Sequence, residues 1–135
     1  MNEFYKSILK QFPSGQIRYA FAYGSGVFKQ LNNNAPASQL AAKSSNMIDF
    51  VFVVNDPVKF HTENLKENRS HYSFLKFVGA SNISSFQEEV PAACYYNTLV
   101  PVRVDSGAEQ LIKYGVISEK ALVRDLYDWD YLYIR

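Results

Sequence analysis

The first residues whose pattern could do chemistry are Tyr23-Gly24-Ser25-Gly26, a glycine-rich turn after a β-rich segment. Glycines let the backbone approach an anion closely, and the Ser25 hydroxyl adds a hydrogen-bond donor. The free N–H groups and the dipole of a helix that starts there also favour a phosphate group. Gly24, Ser25 and Gly26 are therefore candidate substrate-binding residues, with a plain turn as the alternative. The longer phosphate loop of ATPases is excluded because no Gly-Lys-Ser/Thr follows.

Asp49 is the second candidate, because it interrupts the apolar segment 47–54 (MIDFVFVV). Burying a carboxylate without a partner costs free energy. Mg²⁺ is a suitable partner, since it prefers carboxylate oxygens together with substrate phosphates. A salt bridge or an exposed strand end would satisfy Asp49 equally. We interpret Asp49 as a candidate metal ligand and catalytic residue.

The turn and the acid together resemble the polymerase-β-type nucleotidyltransferases, in which a Gly-Ser turn ends one strand and acidic residues lie on the next. That superfamily usually has two acids separated by one residue. Here Met47 and Val51 occupy the positions where the second acid would stand. A further carboxylate would have to come from elsewhere, and the nearby options are Asp56, Asp105 and Glu109.

Hydrophobic spacing predicts the elements that position these residues. Apolar residues at positions 4, 5, 8, 9 and 12 predict a helix over residues 3–12, and residues 17–23 and 47–54 are predicted strands. A short helix is expected through Val27 and Phe28. Residues 31–46 are rich in Asn, Ala and Ser, which predicts a mobile loop.

The second half begins with a polar stretch, residues 59–76, that has ligand-binding chemistry. Ser70 is expected to cap a short helix that contains Tyr72, Phe74 and Leu75. Residues 83–90 are a predicted helix. His71, Tyr72 and Lys76 are the members of the polar stretch carried forward as site candidates.

The last elements are two strands and a helix. Residues 93–104 are a predicted strand that Pro101 assigns to a sheet edge or a strand end, and residues 110–117 are another. Ser118 is expected to cap a final helix whose apolar face includes Leu122, Leu126 and Trp129. The order of elements predicts an α/β or α+β domain with a small mixed sheet flanked by helices.

Composition predicts one folded domain over residues 1–135. The chain is 47% hydrophobic and 16% aromatic, which excludes a disordered protein. A formal charge of +1 argues against a partner nucleic acid bound through bulk charge. Cys94 is the one cysteine and is expected to be buried and inert. We expect no transmembrane segment, because no apolar run approaches about 20 residues. The N-terminal residues 1–5 (MNEFY) show neither a signal peptide nor an Arg-rich transit peptide, so no targeting peptide is expected in this sequence.

Six segments resemble, in order, the mitochondrial translocator assembly and maintenance family, which comprises mitochondrial-type CDP-diacylglycerol synthases. They run from about residue 20 to residue 130. The matching segments are residues 22–30 (AYGSGVFKQ), 47–54 (MIDFVFVV), 61–65 (HTENL), 70–76 (SHYSFLK), 95–99 (YYNTL) and 112–118 (IKYGVIS).

The resemblance implies a polymerase-β-like nucleotidyltransferase fold and a reaction of CTP with phosphatidic acid that requires Mg²⁺. It assigns phosphate binding to Gly24 and Ser25 and metal binding to Asp49. Catalytic contacts would come from His71 and Lys76, and substrate contacts from Tyr72, Asn97 and Lys113. For these residues the alternatives are local hydrogen bonding, a core position or a solvated lysine.

The resemblance also implies a peripheral contact with the matrix side of the mitochondrial inner membrane, or a cytoplasmic, membrane-associated protein in a bacterium. The family continues with a helical domain, so residues 1–135 are expected to be its nucleotidyltransferase domain alone.

Two other functions fit the same residues. One is a minimal nucleotidyltransferase with another acceptor. The other is a non-catalytic nucleotide-binding or assembly module, which the single strand acid favours.

Overall fold

A computed structural model describes residues 3–24, 27, 47–90, 92–105 and 107–130. The predicted helix at Val27 and Phe28, the predicted loop over residues 31–46, and Ser25 and Gly26 lie wholly or mostly outside these ranges. The described residues form four strands and four α-helices, with 3-10 turns at Ser14–Gln16 and Arg69–Phe77. The elements are α1 (Glu3–Leu9), β1 (Ile17–Tyr23), β2 (Ile48–Val54), α2 (Pro57–Glu67), α3 (Ala80–Glu89), β3 (Cys94–Arg103), β4 (Glu109–Ser118) and α4 (Glu119–Asp128).

The strands form one mixed sheet in the order β1-β2-β4-β3. β2 pairs antiparallel with β1 and parallel with β4, and β3 pairs antiparallel with β4. β2 is central, and six of its seven residues are buried. β3 lies at an edge, as Pro101 predicted. The predicted α+β class with a small mixed sheet is therefore confirmed, and it is consistent with a nucleotidyltransferase-like fold.

Alternation along β2 gives the sheet two distinct faces. The face called here the Tyr114 face contains Phe50, Phe52 and Tyr114, and α1 and α2 cover it with residues such as Ile8 and Phe60. The opposite face, called here the Asp49 face, contains Val51, Val53 and Ile117 and packs against Ala121 and Leu122 of α4. α4 packs against the Asp49 face at the end of β4 near Ser118, through Ala121 and Leu122.

The structure corrects several predicted elements. The first helix ends at Leu9 rather than at residue 12, although Phe12 is buried as the periodicity required. The first part of the polar stretch, residues 59–67, belongs to α2, whose first residue is Pro57. Asp56 caps this helix, because its side chain accepts from Lys59 N. An N-cap aspartate followed by a proline is a common signal for the start of a helix. The prediction of a polar binding stretch did not take this signal into account.

Ser70 is not a helix cap. The 3-10 segment Arg69–Phe77 begins after Asn68 and has no side-chain cap, and its backbone kinks at Ser73, where φ is 42°. Ser118, by contrast, caps α4 as predicted, because its Oγ accepts from Ala121 N at 3.1 Å. The predicted apolar face of α4 is correct at Leu122 but wrong at Leu126 and Trp129, which are exposed.

Across residues 3–24, 47–90, 92–105 and 107–130, no helix has the length and apolar character needed to cross a bilayer.

Candidate functional site

The glycine turn and the strand acid meet at one end of the sheet. Tyr23, the last residue of β1, is the antiparallel partner of Asp49 on β2. Gly24 follows with φ of +80°, a conformation that favours glycine. A Cβ added at Gly24 would stand 3.2 Å from Asp49 Oδ2, so backbone and carboxylate are in close approach. The predicted juxtaposition of the turn with Asp49 is therefore observed at Gly24, while Ser25 and Gly26 lie outside the described residues.

The Asp49 carboxylate has unused acceptor capacity. Its Oδ1 is buried, and none of the described residues donates a hydrogen bond to it. Nor does any described lysine or arginine lie within 4.0 Å of it as an ion-pair partner. Leaving a buried carboxylate oxygen unpaired costs free energy, so a ligand that supplies positive charge would be stabilised there. A hard cation such as Mg²⁺ fits this donor, since it binds through one or two carboxylates plus substrate phosphates.

Lys113 lies beside Asp49 on the next strand. The two residues are register partners across the parallel β2–β4 pair, so their side chains share the Asp49 face. The Lys113 Nζ stands 4.5 Å from the centroid of the Tyr96 ring, which is a cation–π arrangement. Gly24, Asp49 and Lys113 thus present backbone, carboxylate and ammonium groups together, a combination suited to a metal-bound phosphate chain.

The other proposed carboxylates do not join this cluster. Asp56 follows the far end of β2 and is occupied as the α2 cap and by an ion pair with Lys59. Asp105 is exposed after β3, and Glu109 begins β4 opposite Arg103. Among the described residues there is no group of three or more His, Cys, Asp or Glu side chains able to hold a metal ion. Asp49 is the acid that this part of the chain offers to a phosphate-bound cation.

His71, Tyr72 and Asn97 lie on the other side of the sheet. Asn97 Nδ2 donates to the Tyr114 hydroxyl at 2.7 Å, and Tyr114 has its side chain on the Tyr114 face. Tyr72 is fully buried and stacks on Tyr95 with 5.9 Å between the ring centroids. The structure therefore separates these three candidates from Gly24, Asp49 and Lys113 by the thickness of the sheet.

Hydrogen bonds join the buried residues into one network, called here the tyrosine–histidine network. Asn64 Nδ2 donates to the hydroxyls of Tyr72, at 2.8 Å, and Tyr114, at 2.9 Å. Since both hydroxyl oxygens accept, each O–H can donate onward: Tyr72 to His61 Nδ1, at 2.9 Å, and Tyr114 to His71 Nδ1, at 3.2 Å. These directions require both imidazoles to be neutral.

The pKa shifts caused by burial indicate the same protonation states. It lowers the pKa of His61 to about 4, against which a hydrogen bond to Gln87 acts in the raising direction. Burial also lowers the pKa of His71 and raises the pKa values of Tyr72 and Tyr114 above the ordinary range. The network is therefore uncharged at neutral pH, which suits a core position better than contact with a triphosphate.

Lys76 belongs neither to the cluster of Gly24, Asp49 and Lys113 nor to the tyrosine–histidine network. Its Nζ stands 5.3 Å from the centroid of the Phe77 ring, and Arg69 Cζ stands 5.9 Å from the same ring. Phe74 and Phe77 are 73% and 75% exposed, and Val78 is exposed as well. These five residues form a surface, called here the aromatic–basic patch, on the segment that follows α2.

Tyr96 and Gly115 belong to the Asp49 face but were not predicted as site residues. Both lie in segments that carry the family resemblance, YYNTL and IKYGVIS, in which Asn97 and Lys113 are the predicted site residues. A strand glycine that permits close approach of another group was the available signal. The pairing that brings Tyr96 onto Gly115 could not be read without the register of β3 and β4.

The family model described as mitochondrial phosphatidate cytidylyltransferase matches residues 5–135. The chain is 50% identical over 131 residues to the protein of that name from Danio rerio, which covers 97% of this chain. It is 45% identical over 130 residues to the Homo sapiens protein and 38% identical over 130 residues to the Caenorhabditis elegans protein, with 96% of this chain covered in each case.

The match extends over only part of those relatives. The chain spans 36% of the Danio rerio protein, 26% of the Homo sapiens protein and 36% of the Caenorhabditis elegans protein, which is about a third of their length.

Proposed function

Because the chain belongs to the mitochondrial phosphatidate cytidylyltransferase family, we propose that it provides the nucleotide-binding part of an enzyme that makes CDP-diacylglycerol from CTP and phosphatidic acid. In the proposed reaction a phosphate oxygen of phosphatidic acid forms a bond to the α-phosphorus of CTP. The bond from the α-phosphorus to the bridging oxygen breaks, and pyrophosphate leaves with the electron pair. The product serves the synthesis of cardiolipin and other phospholipids.

One observation carries the assignment of the site: a Cβ added at Gly24 would stand 3.2 Å from Asp49 Oδ2 at the ends of neighbouring strands, and Lys113 is in register beside the acid. Phosphoryl transfer depends mainly on positioning and on neutralising the charge of the phosphates. A backbone that can approach an anion, an ammonium group and a carboxylate with a free oxygen meet those needs. The residues on the Tyr114 face meet none of them.

The chain's own groups have separate roles in this proposal. Gly24 allows the triphosphate to come close to the backbone at the end of β1, and Ser25 adds a hydroxyl donor next to it. The Lys113 ammonium offsets phosphate charge and limits the rotation of the phosphate chain. Asp49 would hold Mg²⁺ through its carboxylate, and the bound ion would supply charge stabilisation to the phosphate oxygens.

The enzyme's lipid substrate requires a membrane surface, and we propose that the aromatic–basic patch meets it. Exposed aromatic rings beside cationic side chains are typical of groups that insert at the interface of anionic bilayers. Arg69 and Lys76 supply charge complementary to phosphatidic acid, while Phe74 and Phe77 supply apolar area. By the names of the relatives we assign the protein to mitochondria. We further propose the matrix side of the inner membrane, which the family resemblance implies and the names do not state.

Calorimetric titration of CTP, with ATP, GTP and UTP as controls, tests the nucleotide site. Wild type, Asp49→Asn and Asp105→Asn are compared with and without Mg²⁺. Asp105→Asn is the matched control, because it removes an exposed carboxylate that lies beyond β3. We expect wild type and Asp105→Asn to bind CTP in a Mg²⁺-dependent way and Asp49→Asn to lose at least tenfold in affinity.

Equal CTP affinity in Asp49→Asn and wild type would contradict the assigned site. Selective CTP binding with transfer to an acceptor other than phosphatidic acid would favour the minimal nucleotidyltransferase. Failure of the folded chain to bind any nucleotide would favour an assembly module without chemistry.

A further inference from the structure

Gly115 leaves space on β4 for the Tyr96 ring to lie against the sheet. The two residues are register partners in the β3–β4 pair. A Cβ added at Gly115 would stand 2.5 Å from Tyr96 Cε1 and 2.7 Å from Tyr96 Cζ. Real Cβ atoms do not come so close, so any side chain at position 115 would displace the ring. Because Gly115 has no side chain, the Tyr96 ring can pack directly against the backbone of β4 at this position.

The ring seated on Gly115 in turn contacts Lys113. Lys113 precedes Gly115 by two residues, so both face the same side of β4. Its Nζ stands 4.5 Å from the Tyr96 centroid. A lysine side chain has four rotatable bonds and loses considerable entropy when it is held in one direction. The ring face lowers that cost, because it attracts the ammonium electrostatically in one place.

We propose that Tyr96, seated on Gly115, is a positioning residue that holds the Lys113 ammonium on the Asp49 face for a polyphosphate ligand. Tyr96 acts through Lys113 and is not a catalytic residue. The proposal rests on the proposed function for the identity of the ligand, a nucleoside triphosphate, but the contact itself requires only a chain of phosphates. Position 115 then controls affinity without touching the ligand.

A double-mutant cycle on Tyr96 and Lys113 tests this role. Inorganic triphosphate and CTP, each with Mg²⁺, are titrated into wild type, Tyr96→Leu, Lys113→Ala and the double variant. If Tyr96 acts through Lys113, Tyr96→Leu weakens binding about two- to fivefold in the wild-type background and not at all in the Lys113→Ala background. A purely structural tyrosine would give the same loss in both backgrounds.

Two further variants keep the test informative if Tyr96→Leu is unstable. Tyr96→Phe retains the ring and is expected to bind as wild type does. Gly115→Ala is expected to lower affinity as Tyr96→Leu does, because the added methyl group displaces the ring. Wild-type affinity in folded Gly115→Ala, additive losses in the cycle, or no triphosphate binding by wild type would each overturn the proposal.

The two ligands separate this inference from the proposed function. Coupling seen with inorganic triphosphate but no preference for CTP would support the positioning role and contradict the cytidylyltransferase. Selective CTP binding with additive effects would support the cytidylyltransferase and contradict the positioning role.

Discussion

A methyl group at Gly24 would stand 3.2 Å from the Oδ2 of Asp49, although 24 residues separate the two along the chain. The antiparallel pairing of Tyr23 with Asp49 creates this approach, because it ends β1 beside the second residue of β2. The turn that approaches phosphate and the acid that can hold a cation therefore share one small volume. Changing either residue is expected to disturb the other.

Gly24→Ala is expected to lower stability and nucleotide binding together. A left-handed φ costs a residue with a Cβ about 1–2 kcal/mol, and the methyl group would also press on the Asp49 carboxylate. Gly107→Ala is the matched control, since Gly107 has φ of +79° and nothing within 4 Å of the added Cβ. Both variants should melt at lower temperature, but only Gly24→Ala should lose Mg²⁺-dependent CTP affinity. Equal affinity in the two variants would show that Gly24 is a turn and nothing more.

Lys113 and Lys76 were both predicted contacts, and the structure separates them. Lys113→Ala removes the ammonium that is in register with Asp49 and is expected to weaken CTP binding by about 1.5–3 kcal/mol, the usual cost of a lost charged hydrogen bond. Lys76→Ala changes the aromatic–basic patch, which does not include Gly24, Asp49 or Lys113, and is expected to leave CTP binding unchanged. Calorimetry on both variants in parallel decides this, and the opposite ranking would refute the placement of the site.

The sequence was sufficient for the strands and for the pairing of a glycine turn with an acid. β-Rich, apolar composition identified β1 and β2, and a Gly-Ser turn next to an acid on the following strand is a local pattern. The face on which His71, Tyr72 and Asn97 lie was not predictable in the same way. It depends on which tyrosines those side chains reach across the sheet, and polar residues that satisfy one another in a core have the same composition as residues that bind a ligand. α2 was predictable from Asp56 and Pro57, but its polar surface was interpreted as a binding stretch.

The aromatic–basic patch is expected to govern binding to anionic vesicles. Replacing Phe74 and Phe77 together by Ser removes two exposed rings and should weaken binding to vesicles that contain phosphatidic acid about tenfold or more, since each buried ring contributes about 1.5–3 kcal/mol. Phe86→Ser is the control, because Phe86 is also an exposed aromatic residue but lies on α3. Sedimentation with vesicles measures the effect. Binding that is insensitive to the double substitution, or equally sensitive to Phe86→Ser, would refute this docking surface.

Tyr72→Phe distinguishes a core role from a substrate-binding role for the tyrosine–histidine network. Removing the hydroxyl takes the donor from His61 Nδ1 and one acceptor from Asn64, which should lower the free energy of unfolding by about 1–3 kcal/mol. CTP affinity should stay at the wild-type value at a temperature where the variant is folded. Denaturant unfolding and calorimetry measure the two quantities. Unchanged stability with weakened CTP binding would return Tyr72 to the binding site.

His61 is expected to make the fold sensitive to mild acid. Burial lowers its pKa from 6.5 to about 4, so the unfolded chain binds a proton between these pH values that the folded chain does not. Stability must therefore fall as pH decreases through this window, by roughly 3 kcal/mol in total at about 1.36 kcal/mol per pKa unit. His71, whose pKa burial also lowers, adds to the effect in the same direction.

His61→Gln is expected to be less stable at pH 7, and its free energy of unfolding is expected to decline less steeply as the pH is lowered. Denaturant unfolding at intervals between pH 7 and pH 4 gives the slopes for both proteins. Because carboxylates titrate alike in both proteins, the difference between the slopes belongs to His61. Identical slopes would mean that the folded protein protonates the His61 imidazole in this pH window as readily as the unfolded chain does, and so that burial does not lower its pKa.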